Sequence, residues 1–337
     1  MAMNPKVAVA LALALAVGAT RAHAQTIHAE ADATVGYSRY ADENVAALAL
    51  QLRSFGAMKG DVQFFLEGVW AGRNDNDSDA FGAAYPYGGE FKAMEAYAER
   101  IFHPKRAIVG FRAGRYRTPF GIYTRSDYAY SGLLRAPLVR YEGYFALANT
   151  FLEHGVNVIA GIPQLTVESS FGAPADVGEA RRESGFDSVT RVQGFHGPLM
   201  VGVSHIRTNP YQSRDFAHGR AVFSGADFRL MFSGVQLSGE YLDGRPFDGT
   251  TTTGWHLDAS VHRPMMGAVT AVARIERVDY DAGPQFSLHR ERQTIGARIR
   301  IFQHIAAQFD VIHQSGEGED EYGSAVDVAL TYSLRLR

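Results

Sequence analysis

The sequence predicts an all-β fold: a transmembrane, antiparallel up-and-down β-barrel of about sixteen strands with a long third extracellular loop. Three observations carry this. The chain opens on a short apolar leader, almost all of the remaining chain alternates apolar and polar residues with period two, and the connections alternate between short and long.

In the leader, Lys6 precedes an uninterrupted apolar run over 7–18, and Arg21 is followed by Ala22-His23-Ala24. Positive charge, apolar run and small-residue pattern, in that order, mark a secretory signal peptide. A run of about a dozen residues is too short to cross a hydrocarbon core of ~30 Å as a helix, which takes ~20. Residues 1–24 are therefore expected to leave as a cleaved Sec signal, with 25–337 forming one barrel domain. No later stretch is long and apolar enough for a membrane helix, so an exported soluble protein and a closed barrel are the two architectures left.

Alternation starts at once. Ile27, Ala29, Ala31, Ala33, Val35 and Tyr37 alternate with His28, Glu30, Asp32, Thr34 and Ser38, giving a strand one apolar and one wet face. Read in the same way, the chain places strands near 26–39, 46–55, 61–73, 90–102, 107–117, 152–162, 165–172, 188–195, 199–208, 220–232, 235–244, 254–262, 268–280, 291–302, 305–314 and 324–337. The last is the cleanest, with Val326, Val328, Leu330, Tyr332, Leu334 and Leu336 alternating with Asp327, Ala329, Thr331, Ser333 and Arg335. Short turns near 56–60, 103–106, 162–164, 196–198, 232–234, 263–267 and 302–304 separate long loops near 40–45, 74–89, 118–151, 173–187, 209–219, 245–253, 281–290 and 315–323. Short periplasmic turns, longer extracellular loops and an even strand number form the pattern of a bacterial outer-membrane barrel.

A soluble sandwich also alternates, and the polar faces separate the two. After residue 24 the chain holds only Lys59, Lys92 and Lys105, whereas Arg, Asp, Glu, Gln, Ser and Thr fill the polar faces, as a wet lumen would want. Aromatic residues near strand ends, among them Phe55, Trp70, Phe102, Phe232, Trp255 and Phe302, are expected in an interfacial girdle.

The connection over 118–151 is too long and too aromatic for a surface turn. Folded into the lumen, it would bring Arg125, Asp127, Arg135, Arg140 and Glu142 to a constriction; packed outside, it would form a lid. Inward phase on the strands assigns Arg112, Glu240, Asp258, Arg274, Glu276, Arg298, Arg300, Asp327 and Arg335 to the lumen wall. Guanidinium groups beside carboxylates either set a transverse field or brace a polar wall, and the arginine excess leans towards inorganic anions among small hydrophilic solutes.

Other functions find less support. The net charge of −3 gives no basic excess for nucleic acid, and the absence of cysteine rules out a disulfide framework. Asp75, Asp77 and Asp79 begin like a calcium loop, but Ala80 stands where the sharp-turn glycine belongs and Pro86 where the bidentate glutamate belongs, so a solvated rim is expected and no metal. No cofactor motif is present, and no G-x-S-x-G or H-E-x-x-H appears. A hydrolase assembled from separate strands, and a plugged structural or adhesive barrel, are the alternatives to a channel.

The stretch ERIFHPKRAIVGFRAGRYRTPFGIYTR over 99–125 resembles Gram-negative outer-membrane porins, nearest to the phosphate-selective porin-like group. The resemblance implies a sixteen-stranded barrel in the outer membrane, a homotrimer among lipid and lipopolysaccharide, and a third loop folded inward. The chain departs from that group in its scarcity of lysine and in ending on Arg337 after Leu336, where an aromatic residue is usual; one terminal residue beyond Arg337 is expected on that ground.

Overall fold

The computed structural model describes residues 24–40, 43–58, 61–74, 88–122, 133–140, 152–175, 181–182, 186–208, 211–212, 221–246, 249–262, 268–317 and 323–336. The leader up to residue 23, the acidic loop at 75–87 and the last residue lie outside them. The chain runs β1 (Ala24–Tyr40), β2 (Glu43–Met58), β3 (Val62–Arg73), β4 (Gly88–Phe102), β5 (Ile108–Arg117), β6 (Leu152–Ile162), β7 (Leu165–Ala175), β8 (Arg181–Arg182), β9 (Asp187–His196), β10 (Leu199–Thr208), β11 (Tyr211–Gln212), β12 (Ala221–Phe232), β13 (Val235–Arg245), β14 (Thr251–His262), β15 (Val269–Asp281), β16 (Ser287–Phe302), β17 (Ile305–Glu317) and β18 (Gly323–Leu336). Sixteen of these close into one antiparallel barrel in which each strand pairs with its sequence neighbours and β18 pairs with β1; the two-residue β8 and β11 form a separate ladder.

Closure matters physically because it leaves no sheet edge. Every barrel strand finds hydrogen-bond partners on both sides, which a sheet surrounded by hydrocarbon requires. Alternation then sorts the side chains. Val35, Tyr37, Leu257, Ile275, Ile295, Phe309, Val328 and Leu330 stand exposed on the outside. Glu67, Asp258, Arg274, Glu276 and Asp327 are buried on the inside.

The strands run past their sequence-derived ends at the long-loop rim. β16 begins at Ser287 rather than 291, and β17 continues to Glu317 rather than 314. There the ladder continues through His289↔Asp279 and His289↔Glu317, while the outward positions turn polar, with Arg277 paired to Asp279 at 2.8 Å. Apolar alternation stops before hydrogen bonding does.

The girdle is modified at two positions. Phe302 faces outward because the register shifts between Arg300 and Phe302, and it is widely exposed, as are Phe102, Phe232 and Trp255. Phe55 was expected with them but faces inward instead: it pairs with His28 across the β1–β2 ladder and stacks between His28 and Phe65.

Candidate functional site

Both described parts of the connection between β5 and β6, residues 118–122 and 133–140, lie inside the barrel. Beyond Arg117, whose N–H donates to Glu95 Oε1 at 3.0 Å, the chain leaves the β5 wall, and Gly121 N–H donates to Ser204 Oγ on β10 at 3.1 Å. Phe120 is buried among Val139, Val189, Ile206, Ala221, Phe223 and Leu242. Gly121 has φ +64, and a Cβ there would lie 1.7 Å from Glu240 Oε1, so both backbone shape and close approach demand glycine.

The second described part of the loop, Leu133–Arg140, is buried throughout and lies against the inner face from β18 and β1 round to β13. Its sequence LLRAPLVR explains the fit. Pro137 starts a single 3-10 turn over Leu138–Arg140, closed by Arg140 N–H to Pro137 O at 2.8 Å. Leu134 packs with Val45, Ala47 and Ala329, and Leu138 with Val278, Tyr280 and Leu288. Irregular backbone buried in this way needs partners for its polar groups, and the wall supplies them. Leu134 N–H donates to Asp310 Oδ2 at 2.8 Å and Leu138 N–H to Glu276 Oε2 at 2.6 Å. Arg274 donates to Arg135 O at 2.8 Å, and Arg292 donates to Ala136 O.

Two arginines fasten the strap. Arg135 holds Asp327 through Nε at 2.7 Å and Nη2 at 3.0 Å, with Ser38 Oγ at 3.2 Å. Arg140 holds Glu240 through two donors, Nε at 3.0 Å and a closer Nη2 contact, and also reaches Phe120 O at 2.9 Å. The carboxylates continue into the wall. His256 sits between Glu240 at 3.6 Å and Asp258 at 3.3 Å, Arg274 grips Asp258 at 2.6 and 2.9 Å, and Arg292 grips Glu276 at 2.7 Å. Fork-to-fork geometry of this kind fixes direction as well as charge.

On the β1–β7 side the excess of carboxylates is larger. Arg53 lies between Glu30 at 3.5 Å, Asp32 at 3.6 Å and Glu67 at 3.5 Å; Arg117 lies between Glu67 at 3.3 Å and Glu95 at 3.5 Å. Arg112 takes Glu99 at 2.6 Å and Glu168 at 3.7 Å. Carboxylates outnumber guanidiniums among these side chains, so the wall opposite the strap is the more acidic.

The structure thus brings Arg135, Arg140, Glu240, Asp258, Arg274, Glu276 and Asp327 into one network along β13–β18. Arg112 belongs to the other wall. Arg298 and Arg300 take part in no ion pair among the described residues, and Arg335 approaches Glu30 at 3.5 Å with its side chain 76 % exposed. Arg125, Asp127 and Glu142 lie outside the described residues. Sequence reasoning missed Arg292, Asp310 and the buried pair Arg191–Asp227, whose two contacts are 2.7 and 2.8 Å. Arg191 follows Val189 and Asp187 on one face of β9, a mixture that hides its phase; Arg292 and Asp310 had the right phase and could have been found from it. Among the described residues no group of His, Cys, Asp and Glu is disposed to hold a metal ion.

No family model matches the sequence, and no curated protein matches it either. Solved structures do match the fold. OmpF of Salmonella typhi, determined with daunomycin, superposes with a TM-score of 0.61 at 11% identity, covering 92% of this chain and 97% of that one. An anion-selective porin from Comamonas acidovorans gives 0.56 at 13% identity, covering 92% and 99%. OprB of Pseudomonas putida gives 0.61 at 8% identity, covering 92% and 94%. The chain has the fold of outer-membrane porins.

Proposed function

We propose that the protein is an outer-membrane porin: a water-filled channel for passive diffusion of small hydrophilic solutes and ions, with a preference for anions. The observation that carries this is an inner wall whose charged side chains keep solvent contact at the short-turn end, Arg335 being 76 % exposed and Arg300 exposed, while a loop fastened inside narrows the other half. Water must reach a wall of that chemistry. Arg135 and Arg140, with Arg125, Asp127 and Glu142 of the same loop, form the constriction in this reading, and Arg112, Glu240, Asp258, Arg274, Glu276, Arg298, Arg300, Asp327 and Arg335 line the wall. The strap's arginines are largely engaged by Asp327 and Glu240, so the preference for anions rests on Arg298, Arg300 and Arg335. Phosphate specificity is no part of this reading, because the lysines on which the resembled group relies are scarce here. Export by the signal peptide over 1–24 and residence as a homotrimer among lipid and lipopolysaccharide belong to the same reading, as does the absence of enzymatic chemistry.

Purified protein in planar bilayers tests it. Discrete conductance steps in KCl are expected, with a reversal potential under a KCl gradient on the anion side. Absence of steps overturns the channel, and a cation-side potential overturns the preference.

A further inference from the structure

The short-turn half of the lumen carries aromatic surface that a merely polar channel does not need. His28, Phe55, Phe65 and Tyr97 face inward from the neighbouring strands β1, β2, β3 and β4 and follow one another as a stack. Ring centroids are 5.3, 6.5 and 5.5 Å apart, with interplanar angles of 23°, 24° and 25°. Inward apolar side chains in the long-loop half, such as Val69 and Met94, are fully covered. These four rings are only half-buried, so part of each borders the lumen, where apolar surface is unfavourable by about 25 cal/mol per Å².

Arginines stand at both ends of the row. At one end Arg112 lies over Tyr97 at 4.8 Å from the ring centroid, and it is already engaged by Glu99 and Glu168. At the other, β18 follows β1 in the barrel and brings Arg335 opposite Glu30, two positions from His28 on the same face; Arg53 shares that carboxylate. Two strands further, Arg298 and Arg300 face the lumen with no ion pair or side-chain hydrogen bond among the described residues.

We propose that this short-turn vestibule is a subsite for aromatic carboxylates, which lay a ring along the His28–Tyr97 row and turn the carboxylate to the Arg298, Arg300 and Arg335 side. The proposal rests on the channel reading and adds a solute class to it. A plain anion meets the arginines alone, whereas an aromatic one gains the edges and faces of the row as well.

The test uses the whole protein in bilayers. KCl steps are recorded first, and their absence overturns the channel itself. Sodium benzoate or sodium acetate is then added at equal concentration, and the reduction in single-channel current is read. Benzoate is expected to block at about tenfold lower concentration than acetate, the gain of one aromatic contact. In Phe55→Leu/Phe65→Leu, which keeps apolar bulk, and in Phe55→Ser/Phe65→Ser, the benzoate-to-acetate ratio is expected to fall towards one. In Arg298→Gln/Arg300→Gln, both anions are expected to block more weakly. Equal block by benzoate and acetate in the unaltered protein, or an unchanged ratio in the Phe55 and Phe65 variants, overturns the subsite and leaves the channel standing.

Discussion

The Asp327 carboxylate has no accessible surface, and three donors on Arg135 and Ser38 surround it. A charge in that position is tolerated only because its partner is there, and the cost of removing one partner exceeds the net worth of the pair. Arg135→Ala is expected to destabilise the protein by about 3–5 kcal/mol, because it leaves Asp327 buried with Ser38 alone. The Arg135→Ala/Asp327→Ala double variant should lose less than the two single losses added together. Urea unfolding of the reconstituted protein, followed by the fluorescence of Trp70 and Trp255, measures both; strict additivity would show that the pair is not coupled. The pairing itself could not be read from the sequence. Phase marked Asp327 as inward, and composition marked Arg135 as a loop cation, but nothing in a linear chain brings residues nearly two hundred positions apart together.

The strap and the strands differ in how plainly the sequence announces them. A strand is written by local repetition, so each barrel strand was legible to within a few residues except at the long-loop rim, where Thr253, Arg277, Asp279, His289 and Glu291 give the outer face polar side chains, and the two-residue β8 and β11 fell within expected loops. Phe55 escaped because an aromatic residue near a strand end reads the same whether it faces lipid or lumen, and only phase within β2 decides it. The strap has no period. Its inward course came from resemblance, and its attachment depends on wall carboxylates from four strands. Arg135→Gln/Arg140→Gln should uncover the charges of Asp327 and Glu240 and loosen the strap together. The reversal potential in a KCl gradient is then expected to move to the cation side and the unitary conductance to rise. An unchanged potential with unchanged conductance would mean that the strap stands clear of the ion path.

At the scale of the whole molecule, the outer surface separates into sectors. Ala29, Ala31 and Ala33 make a narrow groove on the outer face of β1, flanked by Leu50 and Leu52 of β2 and by Tyr332, Leu334 and Leu336 of β18, whereas Trp255, Leu257, Ile275, Ile295, Ile299 and Phe309 make β14–β17 bulky. Small outward side chains let two barrels approach closely within a bilayer, where dispersion does the work that water cannot. The alanine groove on β1 is thus where copies of the proposed homotrimer would meet. Unheated protein is expected to migrate as a trimer in detergent gels, and Ala31→Trp/Ala33→Trp should shift it to monomer; a monomer in both sets the trimer aside. The same outer surface, apolar through its middle and ringed by aromatics, shows why alternation alone could not tell a sandwich from a barrel, since both fold one face away from water. The pairing of β1 with β18 also sets an order of events. Glu30 meets Arg335 only after the last strand has been synthesised, and bringing such distant segments together opposes closure by about 5 kcal/mol of chain entropy. Until that seam zips, the first and last strands both present unpaired edges, so the barrel's most vulnerable moment comes just before it is complete.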